Sequence, residues 1–393
     1  MVSLARKNLF EDKVRFLVAE AGIVFAVGLV TIQVGILHGF TRSTALLIDR
    51  SRADIWVASN DAINLDLTSP ISYDRLRQAQ KVTGVAQAEP LTVQGAVWRG
   101  PDGQLNTVRL IGFDPNGTLL TPGTITAGKQ SDLNQPYSIM VDSTDLKSLG
   151  LQQVNNTGQV GSFRAQVVGF TKGIQSNADS PFLLTSLQSA KAYSRSHSVS
   201  TATPVTSPPL SALTPQDSIS FILVQAQPGQ DLQVLKQRLD AALPGTHAYT
   251  RQEFADKTEH YWEKRTSVGF ILGLGAIVGV VVGSVIVSQI LYASVTDHVR
   301  EFGTIKAMGA SDWKTYSIII EQSLWMALFG YIPAMIACIG LGAWTATTQA
   351  VLILITPVTA AEIFVVAVVM CTGAALVAIQ KATRVEPGVV FRA

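Results

Sequence analysis

Long apolar stretches interrupt an otherwise mixed chain of 393 residues. Phe16–Phe40 contains one charged residue, Val268–Tyr292 contains none, and the region between Glu321 and Lys381 contains one. About 20 consecutive apolar residues are enough to cross the hydrocarbon core of a bilayer. The pattern therefore predicts four transmembrane helices, over residues 16–40, 268–292, 317–344 and 361–380.

The short segments that flank these helices differ in their basic residues. Lysine and arginine occur in the amphipathic N-terminal segment 1–15, in loop 293–316 and in the tail 381–393, but not in loop 345–360. Short cytoplasmic loops of membrane proteins are enriched in these residues. We therefore expect both termini and loop 293–316 in the cytoplasm, and loop 345–360 and the long stretch 41–267 outside.

The long stretch 41–267 has the alternating patterns of a mixed α and β domain. A strand–helix–strand order near its start returns near its end. The predicted strands are 53–59, 85–98, 105–113, 137–141, 161–170, 182–185, 219–226 and 246–250, and the predicted helices are 72–82 and 231–243. We therefore expect two halves of one domain, 41–117 and 219–267, with 118–218 inserted as a second module. The beginning of the first half and the end of the second half continue the first two predicted helices, and together they would form a stalk.

One segment of the inserted module has an unusual composition. Ser194–Ser218 contains 15 serine, threonine or proline residues among 25. Such a composition buries little apolar surface and predicts a mobile loop. An exposed linker is the favoured interpretation, and a docking segment for a partner is the alternative.

Composition and charge narrow the classes of function. Charged residues make up 15% of the chain, against about 25% in average soluble domains. The net charge of +2 comes without a basic stripe or tail, which argues against nucleic-acid binding. The two cysteines, Cys338 and Cys371, are too few for a disulfide framework or a cysteine zinc site.

Signals for catalysis are weak. Gly123–Gln130 matches the first part of a phosphate-binding loop, but Gln130 stands where serine or threonine would bind magnesium. The five histidines show no metal-ligand spacing. Glu20, Glu321 and Glu362 each lie near a predicted helix end, from which they can reach the interface, so a structural role is favoured over a functional one. We expect no catalytic residue, metal or nucleotide on this chain.

Glycines recur at a spacing of four in the first two predicted helices. They are Gly35 and Gly39 in the first helix and Gly275, Gly279 and Gly283 in the second. Small residues on one helical face let two backbones approach closely. The spacing favours packing within the chain, and a sliding helix pair or a contact between two copies in a dimer is the alternative.

Loop 293–316 contains the pattern of a short amphipathic helix. Val299, Phe302, Ile305 and Met308 recur at helical spacing, and Gly309 ends the run. The pattern favours a helix that fits a groove on a cytoplasmic partner, and a helix lying on the membrane surface is the alternative.

This loop resembles a known family signature. The sequence V-R-E-F-G-T-I-K-A-M-G-A at 299–310 resembles the cytoplasmic-loop signature of the FtsX/MacB superfamily of ABC-transporter permeases. The tail A-T-R-V-E-P-G-V-V-F-R at 382–392 resembles the C-terminal motif of that family. Asn8–Phe10, Phe182–Ala190 and Met370–Ala378 look like DevC-type permeases within it.

The resemblance implies a fold and a set of coupling residues. The fold would be that of a MacB-like type VII transporter, with four transmembrane helices and a large extracytoplasmic α+β domain between the first two. The halves 41–117 and 219–267 would then be porter-like. The residues implied to dock on an ATPase are Val299, Arg300, Glu301, Phe302, Gly303, Ile305, Lys306, Ala307, Met308, Gly309 and Ala310.

The resemblance also implies a function and partners. The chain would be a non-catalytic permease in a bacterial inner membrane, moving a lipid, glycolipid or other hydrophobic substrate. A cytoplasmic ATPase dimer would hold the ATP and Mg²⁺, because this sequence lacks the ATPase domain that MacB carries. Other implied partners are a second permease copy, an HlyD-type membrane-fusion adaptor and a TolC-like channel.

Two other functions within the same superfamily remain open from the sequence. One is an FtsX-like regulator of cell-wall hydrolases, for which the outer domain is large. The other is a lipoprotein-release permease like LolC and LolE, which would carry a chaperone-docking hairpin that the sequence does not identify.

Overall fold

The computed structural model describes residues 13–174, 180–196, 207–265, 267–297, 311–348 and 353–383. The chain divides into two compact units. The helical unit comprises Met1–Gly39 and Ser267–Ala393, and the α+β domain comprises Phe40–Thr266. Each unit has its own hydrophobic core.

The described residues form long helices and a set of shorter helices and strands. The helices are α1 (Lys13–Asp49), α2 (Asp74–Gln80), α3 (Leu187–Ser194), α4 (Leu232–Ala242), α5 (Arg251–Arg265), α6 (Ser267–Asp297), α7 (Asp312–Thr348) and α8 (Pro357–Thr383). The strands are β1 (Ile55–Ser59), β2 (Ile71–Ser72), β3 (Val85–Arg99), β4 (Leu105–Phe113), β5 (Thr124–Ala127), β6 (Ser138–Asp142), β7 (Thr157–Val160), β8 (Phe163–Lys172), β9 (Phe182–Ser186), β10 (Ser218–Ile219), β11 (Phe221–Ala226) and β12 (Thr246–Thr250).

Four of the described helices, α1, α6, α7 and α8, are long and apolar enough to cross a membrane. Their candidate spans are Phe16–Asp49, Ser267–Thr296, Tyr316–Thr345 and Pro357–Leu376. The prediction of four apolar helices that flank one α+β domain is confirmed.

The third and fourth spans extend beyond their predicted ends. α7 runs to Thr348 and α8 begins at Pro357, so the loop predicted over 345–360 is shorter than expected. Proline fits the first turn of a helix, where its missing N–H leaves no hydrogen bond unmade. Thr356 caps this helix, because its Oγ1 accepts a hydrogen bond from the Thr359 N–H at 3.1 Å. Pro357 therefore starts a helix here and does not mark a loop.

All four long helices contribute to the core of the helical unit. Its buried residues include Ile23 and Val27 of α1, Val287 and Leu291 of α6, Met326 and Ala334 of α7, and Ala367 and Cys371 of α8. α8 packs against both α6 and α7. Exposed apolar side chains cover the other faces of these helices, as expected where helices contact lipid.

The α+β domain is built on one sheet with the order β12-β1-β11-β3-β4-β9-β6-β8-β5, in which β7 pairs with β3 and β8. β1 runs antiparallel to β11 and β12, and β11 runs antiparallel to β3. The sheet therefore contains two β-α-β units. One unit is β1–α2–β3, with β11 between its two strands, and the other is β11–α4–β12, with β1 between its two strands. The repeated strand–helix–strand order of the sequence corresponds to these two interleaved units.

Residues 118–218 extend the same sheet. β9 pairs in parallel with β4, from Arg109 opposite Phe182 to Phe113 opposite Ser186. β6 pairs antiparallel with β9 and parallel with β8. The strands of the region predicted as an insertion are thus hydrogen-bonded to the rest of the sheet at two places, β9 on β4 and β7 on β3.

Side chains of the sheet alternate between two clusters, as a strand period of two requires. On β1, Ile55 and Val57 pack with residues of α2 and α4, whereas Trp56 belongs to a second cluster. Trp56 stacks on Phe254 of α5, with ring centroids 5.6 Å apart. This contact anchors α5 to the sheet.

Residues 207–217, which we call the strap, are held against the domain. Three side chains donate hydrogen bonds to its carbonyl oxygens, namely Tyr137 to Pro208 at 2.7 Å, Lys191 to Ala212 at 3.0 Å and Ser72 to Pro215 at 2.6 Å. The prediction of a mobile loop is wrong for this part. The composition of the segment predicted little burial, but side chains from other elements bind its backbone carbonyl oxygens and hold it in place. Residues 197–206 of the predicted loop lie outside the described residues.

Candidate functional sites

The predicted ATPase-docking loop lies between α6 and α7. α6 ends at Asp297 and α7 begins at Asp312. The predicted docking residues, 299–310, lie outside the described residues, so their role stays a prediction. The C-terminal motif also lies outside them from residue 384 onward.

Three glycines of α6, Gly275, Gly279 and Gly283, face α1 within the same chain. A side chain added to them would meet Gln33 from Gly275, Val30 from Gly279 and Ala26 from Gly283. An ideal Cβ would lie within 3.0 Å of a neighbouring atom in all three cases. These positions therefore serve close packing between α6 and α1, and a role in a dimer stays a prediction.

Gly35 contacts the segment that precedes α8. The Leu354 N–H donates a hydrogen bond to the Gly35 carbonyl at 2.9 Å. An ideal Cβ at Gly35 would lie 2.7 Å from Ile353 Cγ2. Gly39, the other predicted glycine of α1, is also buried. The part of α1 around Gly35 is thus packed against the segment that leads into α8.

Three further close contacts in the helical unit were not predicted. A Cβ added at Gly22 would strike Ile286, and one added at Gly330 would strike Ile23. The Cys338 thiol lies 3.6 Å from the Gly28 carbonyl oxygen, to which it donates. Small residues were the available signal, because Gly330, Ala334, Cys338 and Gly342 follow one another at a spacing of four.

Glu20 lies inside the helical unit. Its side chain is 8% exposed, and neither carboxyl oxygen has a hydrogen-bond partner among the described residues. Glu321 is half-buried and Glu362 is exposed. The expectation that all three glutamates reach the interface is therefore wrong for Glu20, which faces the bundle next to Gly330.

A cluster of charges joins the end of α1 to α5 in the α+β domain. Arg42 lies 2.9 Å from Asp49 and 3.8 Å from Glu259. Burial, offset in part by Arg42, raises the pKa of Glu259 above its ordinary value, and nearby carboxylates add to the effect. Phe40 packs edge-on against Trp262 with centroids 5.7 Å apart. These contacts lie in the segments predicted as a stalk.

Two of the catalytic signals weighed from the sequence, a metal site and a phosphate-binding loop, fall wholly or partly on residues that the structure describes. No group of three or more histidine, cysteine, aspartate or glutamate residues is placed there to hold a metal ion. The Gly123–Gln130 segment forms the edge strand β5 and the start of a 3₁₀ helix, an arrangement unlike the strand–loop–helix of a nucleotide site.

Family models match both parts of the chain. A model described as MacB-like periplasmic core domain matches residues 16–242, and one described as FtsX-like permease C-terminal matches residues 273–387. Together with the four candidate spans, they define a multi-pass membrane protein with a MacB-like domain between its first two spans. The chain belongs to the FtsX/MacB family of ABC-transporter permeases.

Individual relatives are distant. An uncharacterized ABC transporter permease of Methanocaldococcus jannaschii is 26% identical over 123 residues, which cover 30% of this chain and 30% of that relative. The chain thus spans less than a third of the length of that relative.

Solved structures of the MacB type align with low similarity. The periplasmic region of MacB from Actinobacillus actinomycetemcomitans aligns with a TM-score of 0.36 and 10% identity, over 54% of this chain and 93% of that one. The extracellular domain of YknZ from Gram-positive bacteria aligns with a TM-score of 0.35 and 12% identity, over 50% of this chain and 99% of that one. The family assignment rests on the two family models.

Proposed function

We propose that this chain is the permease subunit of an ABC exporter of the DevC type. The chain is non-catalytic, and a separate cytoplasmic ATPase dimer binds and hydrolyses ATP with Mg²⁺. Hydrolysis is converted into motion of the α+β domain. Both termini and loop 293–316 lie in the cytoplasm, the membrane is a bacterial inner membrane, and the α+β domain lies in the periplasm.

One observation carries this proposal. The FtsX-like family model covers residues 273–387 and with them loop 299–310, whose residues resemble an ATPase-docking signature. Glu301 and Lys306 supply charge in this loop, and Phe302 and Met308 supply apolar side chains. An amphipathic helix of this kind suits a groove on a partner protein.

The described helices support a route for motion through the chain. The docking loop connects α6 and α7, so a displacement of the loop acts on two spans at once. α6 packs on α1 through its glycines, and α1 is a single helix of 37 residues. The Arg42 cluster and the Phe40–Trp262 contact tie the end of α1 to α5, and Phe254 ties α5 to the sheet.

The substrate and the remaining partners are part of the same proposal. Substrate is moved by the α+β domain on the outer side, since the buried side chains of the four spans pack against one another in one continuous cluster. A lipid, a glycolipid or another hydrophobic molecule is the proposed substrate. Two copies of this chain form the permease, and an HlyD-type adaptor and a TolC-like channel complete a tripartite assembly.

Affinity purification of the chain from its native membrane in mild detergent tests this proposal. Mass spectrometry of the purified complex is expected to find an ABC ATPase and a membrane-fusion adaptor. An ATPase with a cell-wall hydrolase would replace export by the FtsX-like regulatory function. An ATPase with a lipoprotein chaperone would favour lipoprotein release. Absence of any ATPase, under conditions that preserve other ABC complexes, would overturn the proposal.

A further inference from the structure

A polar cleft lies in the α+β domain between α3, β3 and the strap. Its volume is about 350 Å³, which falls in the range of small-molecule sites. Its walls combine hydroxyl and amide side chains with three charged ones, and Leu187 and Leu213 add an apolar surface. Convergence of a few polar groups in a concave surface is typical of binding sites.

Two of the charged side chains that line the cleft, Lys191 and Asp217, are bound to each other. Lys191 Nζ lies 2.7 Å from Asp217 Oδ2, and their side chains are only 12% and 14% exposed. Thr214 Oγ1 donates to the same carboxylate oxygen at 3.0 Å. Burial alone would raise the pKa of Asp217, but its hydrogen bonds with Lys191 and Thr214 hold that pKa below its ordinary value. The Lys191–Asp217 pair is therefore a built ion pair that holds the strap to α3.

Arg195 is the exposed charge of the same wall, at the outer limit of an ion pair with Asp217. Its side chain is 67% exposed, and its guanidinium lies 4.0 Å from Asp217 Oδ1. That separation is too long for a hydrogen bond. The hydrogen bonds from Lys191 and Thr214 go to Asp217 Oδ2, and the Arg195 guanidinium makes no hydrogen bond to any described residue, so its donors can turn to a ligand. The three charged groups sum to one positive charge, which favours an anion.

The chemistry of the cleft defines a ligand class. A guanidinium binds phosphate or carboxylate with two parallel hydrogen bonds. Thr92 and Ser218 provide hydroxyls that can donate and accept. Ser194 and Gln94 provide acceptor oxygens, because the Ser194 hydroxyl donates to the Lys191 carbonyl and the Gln94 amide donates to the Ala190 carbonyl. We infer that this cleft binds an anionic, hydroxyl-rich group, such as a sugar or cyclitol phosphate, with Arg195 as its anion-binding residue.

This inference deepens the proposed function. Only the role of the ligand, as cargo or as regulator, rests on that function. The same chemistry occurs in free sugar phosphates and in the headgroups of anionic glycolipids. Binding itself needs neither the ATPase nor the adaptor, so the two proposals can fail separately.

Titration calorimetry of the full-length purified chain in phosphatidylcholine nanodiscs tests the inference. The probes are inositol 1-phosphate, uncharged inositol and dioctanoyl phosphatidylinositol. Inositol 1-phosphate is expected to bind and inositol to bind at least tenfold more weakly, since a charge-assisted pair contributes about 1.5–3 kcal/mol. Arg195→Gln is expected to weaken the binding of inositol 1-phosphate by about tenfold. Arg195→Lys is expected to weaken it less, because lysine keeps the positive charge but cannot form two parallel hydrogen bonds with the phosphate.

Arg164→Gln is the matched control, because Arg164 is an exposed arginine of the same domain on β8. It is expected to leave binding unchanged. Tighter binding of the lipid than of inositol 1-phosphate, weakened by Arg195→Gln, would assign the cleft to a lipid headgroup. Equal binding of the two would assign it to a free phosphate. Failure of both probes to bind, or equal binding by Arg195→Gln and wild type, would overturn the inference.

Discussion

Asp145 shows how burial changes the behaviour of a single residue in the α+β domain. Burial, with a smaller effect of the negative charge of Asp142, raises the pKa of Asp145 to about 7. In an unfolded chain the pKa of aspartate is about 3.9. The folded domain therefore binds this proton more tightly than the unfolded chain does. Its contribution to stability is complete below about pH 4 and is lost as the pH rises towards 7.

Asp145→Asn is expected to remove this pH dependence. At about pH 3 the variant and the wild type should unfold at nearly the same temperature, because both side chains are then largely neutral in the folded and in the unfolded chain. At pH 8 the variant should be more stable by about 1 kcal/mol or more, since one pKa unit corresponds to about 1.4 kcal/mol. Thermal unfolding of the purified proteins across this pH range checks the difference. A variant less stable than wild type at pH 8 would contradict the assignment.

Glu20 makes a second prediction at the residue scale. A buried carboxyl group without a hydrogen-bond partner gains little from its charge. Glu20→Gln, which keeps the shape, is expected to change the free energy of unfolding by no more than about 1 kcal/mol. Glu20→Lys places a cation in the apolar bundle and is expected to cost about 3 kcal/mol.

Thermal unfolding in detergent measures both changes at Glu20. Glu362→Gln and Glu362→Lys are matched controls at an exposed position and should have small effects. A large loss of stability in Glu20→Gln would mean that the carboxylate is held by a partner, and the buried, unpaired description would be wrong.

At the scale of elements, the packing of α6 on α1 depends on missing side chains. A Cβ at Gly283 would strike Met370 and Ala26, whereas one at Gly273 on the same helix meets nothing within 4 Å. Gly283→Leu is therefore expected to destabilise the helical unit by about 1–3 kcal/mol through overpacking. Gly273→Leu is the control and should be nearly neutral. Melting curves of the two variants in detergent decide the matter, and equal melting temperatures would argue against this interface.

Many elements could be predicted because the apolar residues within them recur at the spacing of a strand or of a helix. β4 and β12 coincide with the predicted strands 105–113 and 246–250. Turn residues mark one end of each, since Asp114–Gly117 follows β4 and Pro244 and Gly245 precede β12. Short elements such as β5, β7 and α3 were not predicted. β5 has four residues, and its strand conformation depends on pairing with β8. Strand preference of this kind comes from neighbours more than from sequence.

At the scale of the whole molecule, the candidate sites were predictable only in part. The four spans follow from apolar length, and the glycines of α6 follow from their spacing. The burial of Glu20 could not be predicted, because it depends on which faces of α1 and α7 meet. The cleft beside the strap could not be predicted either. It depends on the parallel pairing of β4 with β9, which brings α3 beside β3, and such distant pairing leaves no local pattern.

For the whole molecule, the central claim is that a separate ATPase drives this chain through loop 299–310. The most direct measurement is the ATP hydrolysis rate of the partner ATPase reconstituted with wild-type chain or with Glu301→Lys. Asp102→Lys, a charge reversal at an exposed turn of the α+β domain, is the control. We predict that Glu301→Lys lowers the coupled rate at least about tenfold, as expected when a charge at an interface is reversed. The α+β domain should stay folded, and Asp102→Lys should keep the full rate. An undiminished rate with Glu301→Lys would contradict the account.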